Sequence, residues 1–141
     1  MSVLVQIADA VKDELNGQAF SLPFEAERMY RPLFELPEMK ELHVTVVPAG
    51  IEMQASGRSL VQHDYAIDVA VQKKFTKDGP TELDPLMGLV EEIIDFFRMR
   101  RPAGQDAVCV RAANEPVYSQ DHMEQFRQFT SVITLTFRAL R

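Results

Sequence analysis

The sequence predicts an α+β domain, a mainly antiparallel β-sheet of about four to five strands with two α-helices packed on one face. Three observations predict it. Two apolar stripes recur at helical spacing, one near each end of residues 4–97. Other segments alternate apolar and polar residues with a period of two, as half-buried strands do. The order is helix, strands, helix, strands, with no internal repeat. A length of 141 residues and a hydrophobic fraction of 46% fit one domain, 1–141, with its own core.

Leu4, Ile7, Ala8, Val11 and Leu15 fall on one helical face. Ser2 is the expected N-cap, and Asn16-Gly17 the stop. Pro23, Pro32 and Pro37 exclude a long helix from the next stretch. Within it, Phe24–Tyr30 alternates loosely and reads as a strand, and Leu36–Leu42 as a turn or helical turn. His43-Val44-Thr45-Val46-Val47 is a β-branched strand that stops at Pro48. Pro48-Ala49-Gly50 then opens a polar stretch with Gly57 and Ser59, read as a long mobile connection over 48–62. Tyr65, Ile67, Val69, Val71 and Phe75 mark a strand ended by Lys77-Asp78-Gly79-Pro80. Asp84 is the expected N-cap of the second helix, with Pro85 at its first position. Leu86, Leu89, Val90, Ile93 and Phe97 form its stripe, widened by Met87 and Ile94, and Pro102 and Gly104 end it. Ala107–Arg111 is a short strand. A loop over 112–124 follows, and Met123–Gln128 reads as helical turn or strand start. The last strand runs from about Gln128 to Leu140, with Phe129, Ser131, Ile133, Leu135 and Phe137 on one face.

Charge narrows the function. The chain carries 15 basic against 21 acidic residues, a net −6. A phosphate-gripping protein normally shows a basic face. The one basic run, Arg98-Met99-Arg100-Arg101, reads as a helix C-terminus with its dipole partners. No stretch reaches the roughly 20 apolar residues of a membrane-spanning helix. Met1-Ser2-Val3-Leu4 does not look like a secretory leader. Cys109, the only cysteine, lies in an apolar run and reads as a buried small hydrophobe.

No catalytic constellation stands out. His43, His63 and His122 are isolated. His63-Asp64 with Asp68, and Asp121-His122 with Glu124, are the densest possible ligand groups, but neither has a metal-site spacing. The serines lack a nucleophile-elbow context, and Gly57-Arg58-Ser59 is no phosphate loop. Glu91, Glu92 and Asp95 read as a solvated acidic helix face. The expectation is a non-enzyme with no metal and no cofactor. Two features lean toward partners instead. Ile51, Met53 and Leu60 sit among polar residues in the segment 48–62. The last strand carries a second face of Thr and Val, which fits either a neighbouring subunit or a half-exposed surface.

Three stretches carry a resemblance. They are Leu42-His43-Val44-Thr45-Val46-Val47-Pro48-Ala49-Gly50, then His63-Asp64-Tyr65-Ala66-Ile67-Asp68-Val69-Ala70-Val71-Gln72-Lys73-Lys74, then Phe129–Phe137. With both helices, they resemble the tail terminator and minor tail proteins of long-tailed phages and prophages. The resemblance covers most of the chain and rests on structural strands, not on a catalytic signature. It implies a structural virion protein, assembled in the host bacterial cytoplasm and placed at the head-proximal end of the tail. It implies a homo-hexameric ring that caps the tail tube, stops its polymerisation and offers a surface to the head-tail connector. DNA would pass through the lumen without specific binding. On this reading Ile51, Met53, Arg58, Leu60 and Tyr118 are interface candidates, Arg58 and Tyr118 being residue types enriched at hot spots. Glu91, Glu92 and Asp95 are candidates to line the lumen. A neck or head-completion adaptor is the nearest alternative. A small cytoplasmic enzyme using His63, Asp64 and Asp121, and a nucleic-acid binder, are the more distant ones.

Overall fold

The computed structural model describes residues 2–31, 41–75 and 80–141. Helix α1 spans Val3–Gly17 and strand β1 Ala26–Arg28. Strands β2 and β3 span His43–Ala55 and Val61–Lys74. Helix α2 spans Pro80–Phe97, strand β4 Val108–Ala113, helix α3 Gln120–Phe126 and strand β5 Gln128–Leu140. The five strands form one sheet in the order β1-β2-β3-β5-β4. Every pairing is antiparallel except β1 with β2. The fold is therefore α+β with a mixed, mainly antiparallel sheet, as expected. The expected turn at Leu36–Leu42 and the strand end at Lys77–Pro80 lie largely outside the described residues.

The core lies between one sheet face and the helices. Register places Val44 beside Val71, Val46 beside Val69, Ile133 beside Val69, Leu135 beside Ile67 and Phe137 beside Tyr65. Onto this face α1 presents Ile7, Ala8, Val11 and Leu15, and α2 presents Leu86, Leu89, Val90, Ile93 and Phe97. All are buried, as the two helical stripes require. Burying one such side chain contributes roughly 1.5–3 kcal/mol. Ser2 caps α1, its hydroxyl accepting from Val5 N at 3.2 Å. Asn16, expected as part of the stop, joins α1 to β1. Its side-chain oxygen accepts from Ala26 N at 2.7 Å, and its amide donates to Ala26 O at 3.1 Å.

Four local expectations are corrected. Helix α2 starts at Pro80, not at Asp84, so Pro85 sits inside it. The missing N–H there removes only one bond near the start of the helix. The helix also stops at Phe97, before Pro102. Met99 takes a left-handed backbone with φ 55°, and Arg100 N donates to Phe97 O at 3.0 Å. Third, residues 48–62 are not a long loop. They are the outer halves of β2 and β3, paired from Gly50–Ala66 to Ala55–Val61, with a β-bulge at Pro48/Gly50. Only the tip, 56–60, is a turn, and Gly57 holds φ 86° there. Fourth, the loop expected over 112–124 is shortened from both sides. Strand β4 runs to Ala113, and a third helix, α3, begins at Gln120 with Ser119 as N-cap.

Candidate functional site

The chemical clusters raised by the sequence come apart. His63 and Asp64 are consecutive on β3, so their side chains point to opposite sheet faces. His63 stacks on Tyr65 at 6.1 Å between ring centroids. Asp64 holds Arg138 from the other face, with contacts of 2.9 and 3.1 Å. That guanidinium keeps the Asp64 carboxyl below its usual value. Asp68 accepts from Thr134 Oγ1 at 2.7 Å. Asp121 lies on α3, against the far end of β5. His63, Asp64 and Asp121 therefore share no site. His122 Nδ1 lies 2.8 Å from Thr130 Oγ1. Among the described residues, no group of three or more His, Cys, Asp and Glu side chains could hold a metal ion. Cys109 is 3% exposed, and burial pushes its thiol up to about 11. It stays a neutral thiol at physiological pH.

The interface candidates fare unequally. Ile51, Met53, Arg58 and Leu60 share the β2–β3 hairpin. Ile51 and Met53 are 58% and 69% exposed, although Tyr65, beside Ile51, and Ala139, two strands across from Met53, lie in the core. The reason is geometric. Ile51 and Met53 stand on the helix-side face, but the sheet extends there past the cover the helices give. Leu60 and Arg58 stand at the exposed tip. Tyr118 belongs elsewhere. It is half-buried with its ring 6.2 Å from Phe129, at the opposite end of β5 from the hairpin tip. At about 3.3 Å per residue that separation is roughly 35 Å. Tyr118 thus packs on the core and does not join the hairpin candidates.

The acidic candidates on α2 also separate. Glu91 and Asp95 are exposed. Glu92 instead accepts from Ser21 N at 3.0 Å and from the Ser21 hydroxyl, tying α2 to the segment after α1. The basic run is dispersed too. Arg100 reaches Glu14 on α1 at 3.0 Å and lies over the Phe96 ring at 4.1 Å, clamping the two helices.

Both sheet margins are partly open. At one margin β1 pairs only with residues 44–46 of β2, so Pro48–Ala55 has no outer neighbour among the described residues. At the other margin β4 is the last strand. Beside it, Ile94, Met99, Cys109, Val110 and Ala112, together with Asp95, Arg98 and Arg111, line a mainly apolar groove of about 210 Å³ next to the end of α2. Met99 and Val110 are 68% and 38% exposed. Across the outer sheet face, a depression of about 550 Å³ runs from Glu52 to Arg111, with Asp64 and Arg138 among its lining residues.

No protein-family model matches the chain, and no curated protein matches it. The surface that sequence reading missed is the β4–α2 groove. The signal for it was Met99, an apolar residue set between arginines where the helix was expected to continue.

Proposed function

We propose that the chain is a structural tail protein of a long-tailed phage or prophage, and within that class a tail terminator. Copies of it form a ring, in the homo-hexameric form the resemblance implies, on the last layer of the tail tube. The ring halts polymerisation and presents a surface to the head-tail connector. The observation that carries this reading is the outer β2–β3 hairpin. It is a continuously paired element, and it carries Ile51, Met53 and Leu60 exposed at 58%, 69% and 46%. Apolar side chains held out on a strand margin are suited to a partner's surface. An α+β build of this size and element order also fits the resemblance of the strand segments.

The mechanism is one of geometry. A head-to-tail contact between identical subunits closes when its rotation closes, and the tube end supplies the template for that closure. A net charge of −6 favours passage of DNA without grip, because like charges repel and no cationic clamp forms.

Electron microscopy of particles made without this gene tests the reading. Headless tails of uncontrolled length are expected, since only a missing stop lets the tube run on. Headless tails of normal length would replace the terminator with a neck adaptor. Intact infectious particles would remove the tail reading altogether.

A further inference from the structure

We infer that copies of this chain join edge to edge, the free margin of β2 in one copy seated against the β4–α2 margin of the next, with side chains making the contact because Cys109 N on that edge already donates to Arg100 O at 2.9 Å. This partner assignment deepens the ring reading and rests on it. Three independent observations converge on it.

The first is level. Within one sheet, Val108 is beside Arg138, Arg138 beside Asp64, and Asp64 beside Glu52. Likewise Arg111 is beside Thr136, Thr136 beside Ala66, and Ala66 beside Gly50. Strand β4, Val108–Ala113, is thus at the same height along the strands as Val47–Glu52, on the opposite margin. The β2 segment at that height is the one β1 leaves uncovered. A subunit that adds its β4 there needs little displacement along the strands. A repeated rotation without such a displacement closes a ring, whereas a displacement would give a helix. The sheet order also makes β4 run opposite to β2, so the two margins meet antiparallel.

The second is shape on the helix-side face. Ile51 and Met53 project from the β2 margin and are 58% and 69% exposed. The β4 margin carries, on the same side of the sheet, the groove lined by Ile94, Met99, Val110 and Ala112. One margin supplies apolar knobs and the other an apolar recess. The third is charge on the outer face. Glu52 ends one margin and Arg111 the other, both exposed, and neither makes an ion pair among the described residues. Edge-to-edge addition brings the Glu52 of one copy toward the Arg111 of the next.

The test uses the full chain and charge reversal. Glu52→Arg and Arg111→Glu are both exposed changes, so each variant is expected to keep its fold. Sedimentation velocity follows self-association across concentration. Each variant alone should associate about three- to tenfold more weakly than the wild type, since exposed ion pairs contribute little each. Mixed in equal amounts, the two should recover association. When the variants alternate, every seam joins opposite charges, in the native sense at one seam and the reversed sense at the next. That recovery is one a merely unfolded variant could not give. Ile51→Lys/Met53→Lys should abolish association and not be rescued by either charge variant. Oligomers that form and ignore all four changes would overturn the seam while leaving the ring reading standing. A wild-type chain that stays monomeric at every concentration, including in the presence of assembled tail tubes, would overturn both.

Discussion

At the scale of single residues, the outer sheet face is held by polar pairs. Asp64 is the clearest, bonded to both nitrogens of the Arg138 fork, an arrangement that favours the carboxylate. The carboxyl of Asp64 is lowered in the fold from an ordinary 3.8, chiefly by the Arg138 hydrogen bonds. A depressed folded-state value contributes stability that is present above the ordinary value and lost as pH falls through the lowered one. Thermal melts of the wild type should therefore lose stability below about pH 4 in part through this pair. Asp64→Asn should be less stable than the wild type at pH 7, with the difference shrinking as pH falls toward 2. A constant difference across that range would assign the loss to packing instead. Cys109 takes no part in this, because burial keeps its thiol neutral.

At the scale of elements, the core under the inner half of the β2–β3 hairpin and the outer half of that hairpin should respond unequally to truncation. The inner half belongs to the core that Phe97 completes. The Phe97 ring is fully buried and meets Phe137 edge-on at 6.3 Å. Phe97→Ala should cost about 3–5 kcal/mol in urea unfolding. Ile51→Ala/Met53→Ala should change stability by less than about 0.5 kcal/mol, since solvent already covers both positions. A large loss in the second variant would mean that the outer hairpin is part of the folding unit and not a presented surface.

This division explains what could be read in the sequence. Helices α1 and α2 and strands β3 and β5 were legible because one side of each is buried, and burial writes a period into the residues. The outer half of β2 carried the same signal, since Ile51 and Met53 alternate with Glu52 and Gln54. Pro48-Ala49-Gly50 masked it by looking like a turn, when it is a bulge within a continuous strand. Helix α3 was hidden for another reason. It is seven residues of mostly polar sequence, too short for a stripe. Two of the interface candidates, Ile51 and Met53, were placed on one strand margin only by register. Tyr118 shows the converse, a residue type common at interfaces whose ring is used for core packing.

At the scale of the whole molecule, one layer of helices on one sheet face fixes what an edge-to-edge ring can present to its axis. Either the helices line the lumen or the opposite sheet face does, which is open from Glu52 to Arg111 and buried at Thr45, Ala70, Gln72 and Thr130. The exposed acids of α2, Glu91 and Asp95, one helical turn apart, stand on the side away from the core. On the other sheet face Arg138 offsets the charge of Asp64, while Asp68 keeps its charge and accepts a hydrogen bond from Thr134. A lumen that must pass DNA is better served by the first surface, whose exposed carboxylates repel phosphate and resist sticking. Glu92 contributes little to that repulsion because Ser21 holds it. Glu91→Gln should leave tail length and particle yield unchanged and slow DNA ejection, read by the fluorescence of a dye on released DNA; Asp95 also lines the β4–α2 groove and is left as it is. The effect should shrink as salt is raised, since screening weakens repulsion in the wild type as well. Ejection at the wild-type rate would turn the ring inside out, placing the sheet and its Asp64–Arg138 pair around the channel.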